Sequence, residues 1–531
     1  MKTVTTAVLI VVLLVKLPVS GQEQPTPNVS LHLAALRGDI EAIRQHIEVG
    51  ADLNQKDAFG STPLIIATTF GKTEVARALI DAGADLEIAD NNGSTPLLIA
   101  ALLGRTEIVR ALLDRGADRY RRNNSGSTAL DIVSIPFDDD KGLYDGLLQA
   151  LGPLGLQLDY EQIKMNRPAI AEMLRPGRED LAAVDYKPFP RDDWPVSTPV
   201  AQGLDPMLVA ELYLDAGKME TLYSLLVIKH GYLIAEGYFN EGSVDQKARL
   251  QSVTKSYTSA LVGIALDQGL LSSVDQKMLD FFPEVTGQIT DFRKTQITIR
   301  NLLQMRAGYP WEETDPVLWK GLLSGHYLPM IEKVSLVADP GTEFHYSNLS
   351  SNWLGIIVSR ACGTTLKAFA QERLFRPIGA EVGDWGTDWD GHNNGSGDLH
   401  CTARDAARFG LLYLNDGEYN GNQVVPSVWI RESLRNYSED ITSGGIQSGS
   451  VGRYFCDIGY GYQWWSARVG NQHFNFAWGH GGQLIILLDD LEMIIVVTAD
   501  PFYLVHNSEA WKHEQANFNL VGKFIRSLPQ E

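Results

Sequence analysis

Residues 225–238 read Leu225-Leu226-Val227-Ile228-Lys229-His230-Gly231-Tyr232-Leu233-Ile234-Ala235-Glu236-Gly237-Tyr238. Two apolar runs around a Lys-His-Gly turn predict a β-hairpin. The far end of the chain supplies two more such runs, Gln483-Leu484-Ile485-Ile486-Leu487-Leu488 and Met493-Ile494-Ile495-Val496-Val497, joined by Asp489-Asp490-Leu491-Glu492. Between these ends, apolar residues at helical spacing predict helices over 257–268, 354–361, 366–374 and 403–415. A last helix is expected over 516–527. Strands at both ends with helices between imply an antiparallel sheet covered by helices, in which the first and last strands must meet.

Upstream, the pattern changes to a repeat. Gly38, Gly71 and Gly104 recur every 33 residues, as do Gly50, Gly83 and Gly116, and Gly60, Gly93 and Gly126. Leu31, Leu64, Leu97 and Leu130 keep the same step. Within one unit, Ser61-Thr62-Pro63-Leu64-Ile65-Ile66-Ala67 opens a short helix with proline where no N–H is needed. A second helix then runs to Gly83, and Asp90-Asn91-Asn92-Gly93 is a turn. Over 29–152, in close to four units, this resembles the ankyrin repeat, an all-α solenoid whose surface implies a protein partner. His32 falls at that motif's histidine position, where a hydrogen bond within the turn is expected rather than metal ligation. The end units depart from the motif, as in Asp138-Asp139-Asp140, because end repeats must tolerate water on one face.

Residues 153–205, with Pro188, Pro190, Pro195 and Pro199, have linker composition, with short helix expected on either side of Pro168. Residues 1–21 pair Lys2 with the apolar run Ala7–Val15 and end near Gly21, which reads as a secretory signal peptide and predicts export to a periplasm or the cell exterior. The competing reading is an uncleaved N-terminal anchor; no other segment has the apolar length of a membrane span. The 531 residues carry 45 Lys+Arg against 65 Asp+Glu, a formal charge of −20. That balance argues against a nucleic-acid partner, which requires a basic face. Cys362, Cys401 and Cys456 are too few and too scattered for a disulfide scaffold or zinc ribbon, and form at most one bridge.

Three motifs carry chemistry. Ser252-Val253-Thr254-Lys255 opens the first strong helix, and residues three apart share a helical face, so a hydroxyl and an amine project together. A helix N-terminus also aims free N–H groups at a forming oxyanion. Tyr346-Ser347-Asn348 sits in a loop before another helix; the phenol can pass protons and the amide can hold a substrate carbonyl. Tyr238 and Tyr413 begin similar triplets, but inside an apolar strand and helix. His480-Gly481-Gly482 precedes the penultimate strand, where glycines admit a close approach and the next N–H, of Gln483, can complete an oxyanion hole with that of Ser252.

In this order the three motifs resemble those of the serine β-lactamase and penicillin-binding-protein superfamily, closest to its class C-like branch, which also holds esterases, D-amino-acid peptidases and nylon-oligomer hydrolases. Ile299-Arg300-Asn301-Leu302-Leu303-Gln304-Met305 and Thr402-Ala403-Arg404-Asp405-Ala406-Ala407-Arg408-Phe409-Gly410 support the likeness, which covers about 206–525. It implies an α/β domain over 206–531, with a helical subdomain beside the sheet. It also implies acyl transfer through Ser252, with Lys255 and Tyr346 as proton acceptors, on a small or peptide-like amide or ester and without metal or organic cofactor. Asn348 would position the substrate, while His480, Gly481, Gly482 and Gln483 line its pocket. One departure is plain: no Lys-[Ser/Thr]-Gly occurs, and His480 replaces that fixed cation, which weakens the case for penicillin. His506, Glu509, His513 and Glu514 suggest metal ligands but lack the His-Glu-x-x-His spacing. Trp464, Trp465 and Trp478 read as core more readily than as stacking platforms. The competing function is a retired hydrolase shell serving as an adaptor through its ankyrin repeats.

Overall fold

The computed structural model describes residues 28–135, 137–441, 451–503 and 510–529. The segment read as a signal peptide, with His506 and Glu509, lies outside them. Two compact units divide the chain, Met1–Gly177 and Arg178–Glu531.

In the first unit helices come in pairs: α1 (Leu31–Arg37) with α2 (Ile40–Glu48), α3 (Pro63–Thr69) with α4 (Thr73–Asp81), and α5 (Pro96–Leu102) with α6 (Thr106–Asp114), before α7 (Ala129–Ser134). The leading helices start alike. Ser30, Thr62, Thr95 and Thr128 each accept a hydrogen bond from the backbone N–H three residues on. Pro63 and Pro96 take the first helical position, where a missing N–H costs nothing. The turns stack at the same period, Asn91 donating to the Phe59 carbonyl and Asn124 to that of Asn92, both at 3.0 Å. His32 reaches the Gln55 carbonyl through Nε2 at 2.9 Å, bracing the turn region. Leu64, Ala67, Leu79, Ala100, Ile108 and Leu112 are wholly buried along the stack, since no single repeat can bury its own apolar face.

The stretch read as linker is built into the units. Past α8 (Phe137–Leu151), which falls within the stretch read as repeats, α9 (Tyr160–Leu174) extends the first unit, running as one helix through Pro168. It lies against α6 and α7 and adds Ile170 and Leu174 to their core. Its buried Arg167 donates to the carbonyls of Ile132 and Val133, which end α7 and have no further repeat to cover them.

In the second unit, β1 (Leu222–Lys229) and β2 (Tyr232–Tyr238) form the expected hairpin. β3 (Cys456–Tyr460), β4 (Trp465–Val469), β5 (Gln472–Gly479), β6 (Gln483–Leu488) and β7 (Met493–Ala499) complete an antiparallel sheet in the order β2-β1-β7-β6-β5-β4-β3. First and last strands do meet: Leu225 lies opposite Val497 and Val227 opposite Ile495. Flanking helices are α10 (Pro206–Ala216), α11 (Thr254–Asp267), α12 (Asn348–Cys362), α13 (Ala403–Leu414) and α14 (Ala510–Ser527). Alternate strand residues enter two cores. Leu226, Ile228, Ile485 and Ile494 share one with α11, α12 and α13, around which the helical subdomain gathers. Leu225, Val227, Ile486 and Ile495 share the other with α10 and α14. With both faces covered, β6 and β7 are buried throughout, the reason they read as unbroken apolar runs. Cys362, Cys401 and Cys456 are free thiols. Among the described residues, no helix is long and apolar enough to cross a membrane.

Residues 186–197, the rest of the expected linker, form a strap along the outer edge of β2. Glu236 N–H donates to the Tyr186 carbonyl and Leu233 N–H to that of Pro195, both at 2.9 Å. The strap is fastened from beneath by buried Arg404 of α13, which donates to both oxygens of buried Glu236 at 2.9 and 2.6 Å, to the Phe189 carbonyl at 2.8 Å, and to Asp193. An edge strand is thereby covered rather than left as a template for aggregation. Arg404→Ala strands the Glu236 carboxylate in the core and is expected to destabilise the second unit by about 3–5 kcal/mol, read as a lower denaturant midpoint. Arg404→Lys should recover only part of this, because an ammonium cannot reproduce the two-pronged contact.

Candidate active site

Ser252 lies in a 3-10 turn, Gln251–Val253, that leads directly into α11, and Lys255, one turn on from Ser252, is the second residue of that helix. The helix is buried from Thr254 to Ala265, so the lysine points into protein. Its Nζ has three oxygen neighbours: Ser252 Oγ at 2.9 Å, Asn348 Oδ1 at 2.8 Å and the Ser396 carbonyl at 2.9 Å. Burial pushes the Lys255 pKa down to about 7, against an opposing pull from Glu313 and Glu312. Two of the three neighbours can only accept. A neutral amine has two N–H bonds and one lone pair, so it gives its protons to Asn348 and Ser396 and turns the lone pair toward the Ser252 hydroxyl.

Tyr346 comes from the loop before α12. Its ring centroid is 4.9 Å from the lysine Nζ and stacks against Trp465 at 5.5 Å. Burial drives its pKa well above that of a free phenol, a hydrogen bond with Ser252 opposing the shift. Asn348 is the first residue of α12, and its amide is committed at both ends. Oδ1 accepts from Lys255, and Nδ2 donates to Glu313 Oε1 at 3.1 Å. The residue expected to hold a substrate carbonyl also holds the lysine.

The fourth part is the turn between β5 and β6. Gly479, at the end of β5, packs on the residues before Ser252: a Cβ there would sit 2.2 Å from the Leu250 carbonyl oxygen and 3.1 Å from Gln251 Cβ. That close approach sets the turn beside the serine. Gly481 and Gly482 follow with φ of 83° and 84°, a conformation that favours glycine. The Gln483 side chain does not line the site. It is fully buried and spans the Ala499 backbone, donating to its carbonyl at 2.8 Å and accepting from its N–H at 3.0 Å.

Three carboxylates complete the constellation, and none belongs to the three sequence motifs. Glu312, fully buried, caps α12 by accepting from Asn348 N–H at 2.9 Å, Leu349 N–H at 3.1 Å and Ser347 Oγ at 2.7 Å. Burial raises its pKa, and these hydrogen bonds oppose the rise. Glu313, the next residue, is exposed and turns toward Asn348. Glu514 of α14, read above with His513 as a metal candidate, instead braces the glycine turn. It accepts from Gly481 N–H at 2.9 Å and Trp478 Nε1 at 2.6 Å, and lies 3.1 Å from His480 Nδ1. This hydrogen bond raises the His480 pKa against the effect of desolvation, so the imidazole is a firmer cation than its ordinary value suggests. His513 meets the ring of Tyr503 instead. Trp464 and Trp465 are core residues, and Trp478 is half-buried beneath the turn. Glu312 and Glu514 act on groups 35 and 33 residues away, across elements that only folding brings together, so no local spacing marks them.

Comparison with known proteins agrees with this layout. A sequence model described as "Ankyrin repeats (3 copies)" matches residues 31–130. Another, described as "Beta-lactamase", matches residues 223–516, more than half of the chain. The chain is 28% identical over 290 residues to a 6-aminohexanoate-dimer hydrolase from Paenarthrobacter ureafaciens, covering 51% of this chain and 71% of that protein. It is 30% identical over 156 residues to monacolin J acid methylbutanoyltransferase from Aspergillus terreus, but over only 26% of this chain and 37% of that one. Among solved structures, an octameric penicillin-binding protein homologue from Pyrococcus abyssi matches with a TM-score of 0.44 at 18% identity, over 56% of this chain and 73% of that one. With a serine, a buried lysine, a tyrosine and a glycine turn gathered as described and the family model spanning the whole arrangement, the chain belongs to the Beta-lactamase family, with ankyrin repeats ahead of that domain.

Proposed function

We propose that this protein is an exported serine acyl-hydrolase that cleaves an amide or ester through an acyl-enzyme on Ser252, and that its ankyrin stack engages a protein partner. One observation carries the reading: a buried amine, depressed to about 7, with two hydrogen-bond acceptors fixing its protons and a serine hydroxyl at 2.9 Å. Such an amine is neutral often enough at physiological pH to act as a base. Ser252 Oγ attacks the carbonyl carbon as its proton passes to Lys255 Nζ. The N–H groups of Ser252 and Gln483 receive the oxyanion. Tyr346, kept as a phenol by burial, gives its proton to the departing group and takes the one held by Lys255 in its place, and water reverses the sequence to free the acid. An adaptor that had retired its catalysis needs no amine so placed, which favours the enzyme reading.

The test is burst kinetics with a chromogenic activated ester, expected to release about one equivalent of chromophore per protein before steady turnover. Absence of a burst, together with turnover that survives loss of the serine, would defeat the proposal. The export half has its own check. Expressed with its full N-terminus in a secreting host, the protein recovered outside the cytoplasm is expected to begin near Gln22. Retention of Met1 on membrane-bound protein would make the segment an anchor.

A further inference from the structure

Resting on that catalytic reading, we infer that Glu313 is a specificity residue that selects acyl substrates carrying a cationic nitrogen and disfavours anionic ones. The argument begins with the placement of two neighbouring carboxylates. Trp311 leads into a 3-10 turn, Glu312–Thr314, that presents Glu312 inward and Glu313 outward. Glu312 is consumed in capping α12. Glu313 has a different setting. Its Oε1 accepts from Asn348 Nδ2, which puts the carboxylate one residue from the catalytic amine, while the side chain stays open to solvent.

Among the described residues, no lysine or arginine forms an ion pair with Glu313. Several basic side chains of this unit are paired elsewhere: Arg249 with Asp398, Arg293 with Asp291, and Arg404 with Glu236. Near the site His480 is occupied by Glu514, a pair with no net charge when the imidazole is protonated. Lys255 is buried and has a depressed pKa, so it offers little compensating charge. Glu313 nevertheless makes itself felt at Lys255, Tyr346 and His480 alike. An uncompensated carboxylate at the rim of a hydrolytic site gives the approaching substrate a negative potential. A cation on the substrate replaces solvent there at little cost, whereas a carboxylate meets like charge.

The experiment uses the full chain and three 4-nitrophenyl esters of similar length: the 4-(trimethylammonio)butanoate, its uncharged carbon isostere 5,5-dimethylhexanoate, and the 4-sulfobutanoate. For the wild type, kcat/KM, corrected for spontaneous hydrolysis, is expected to be about fivefold higher for the cationic ester than for the neutral one, the scale of a partly exposed ion pair, and lower still for the anionic ester. Half-molar salt should shrink that preference. In Glu313→Gln the cationic-to-neutral ratio should fall to near one, and in Glu313→Lys the order should invert. Burst titration counts active sites in each variant, so the ratio remains readable even if part of the protein misfolds. Equal use of the cationic and neutral esters by the wild type, a preference for the anionic ester, or a cationic preference that survives in Glu313→Gln would each overturn the assignment. Failure of all three esters to give a burst would overturn the hydrolase reading itself and this assignment with it.

Discussion

Ser252→Ala is expected to abolish the burst and to lower kcat/KM for an activated ester by about ten-thousandfold or more, leaving a folded protein. Loss of a covalent nucleophile removes the whole double-displacement route, and what remains is water attacking a bound ester. Folding should be preserved because Ser252 is only half-buried and its removal takes away one of three neighbours of the lysine amine. Asn348 and Ser396 still accept from it. The decisive measurement is a stopped-flow trace of wild type against variant, with circular dichroism confirming the fold. A burst that persists in the alanine protein would put the nucleophile elsewhere.

The second large effect concerns Lys255 and has two parts, one in rate and one in stability. With its pKa brought to about 7 by burial, the amine is a competent base only above that pH. The kcat/KM profile is therefore expected to climb through an acid limb centred near pH 7. Lys255→Met should lose about a thousandfold or more and lose the limb as well. Lys255→Arg should be as inactive, because a guanidinium does not release its proton.

The stability part follows from linkage. Unfolded, the amine titrates at its ordinary value of 10.5, so between about 7 and 10.5 the unfolded chain binds the extra proton. The cost of burying the lysine is therefore full below about pH 7 and is relieved as the pH rises through that window. Its scale is on the order of a few kcal/mol. Relative to wild type, Lys255→Met should gain its largest rise in Tm near pH 6 and progressively less toward pH 10. A difference in Tm that does not change with pH would mean that the lysine is not held against its charge.

These expectations depend on residues of two kinds. Ser252 and Lys255 could be paired from the sequence because three residues on a helix is a short, rigid distance. His480 and its glycines could be placed because they end one apolar strand and begin another. Burial added to the reading of Asn348 and Gln483. Both side chains are enclosed, and their amides bind Lys255, Glu313 and Ala499, whereas the group of Gln483 that the motif points to is its backbone N–H. The linker reading of 153–205 was corrected. Proline-rich sequence signals a chain without helical or strand periodicity, but such a chain can still be laid along an edge strand and fastened there by Arg404.

By itself the sequence determined the two-part organisation, the 33-residue repeat, the hairpin and terminal strands of the sheet, and the order of the three motifs. Each of these is written in local periodicity, because the spacing of apolar residues and glycines reports directly on the helix or strand they occupy. Only the tertiary structure decided the charge state around the site. The depressed Lys255, the raised His480 and the roles of Glu312, Glu313 and Glu514 all arise from desolvation and from carboxylates delivered by distant segments. A pKa is set by what lies within a few ångströms in space, and along this chain those neighbours are 33 to 93 residues away.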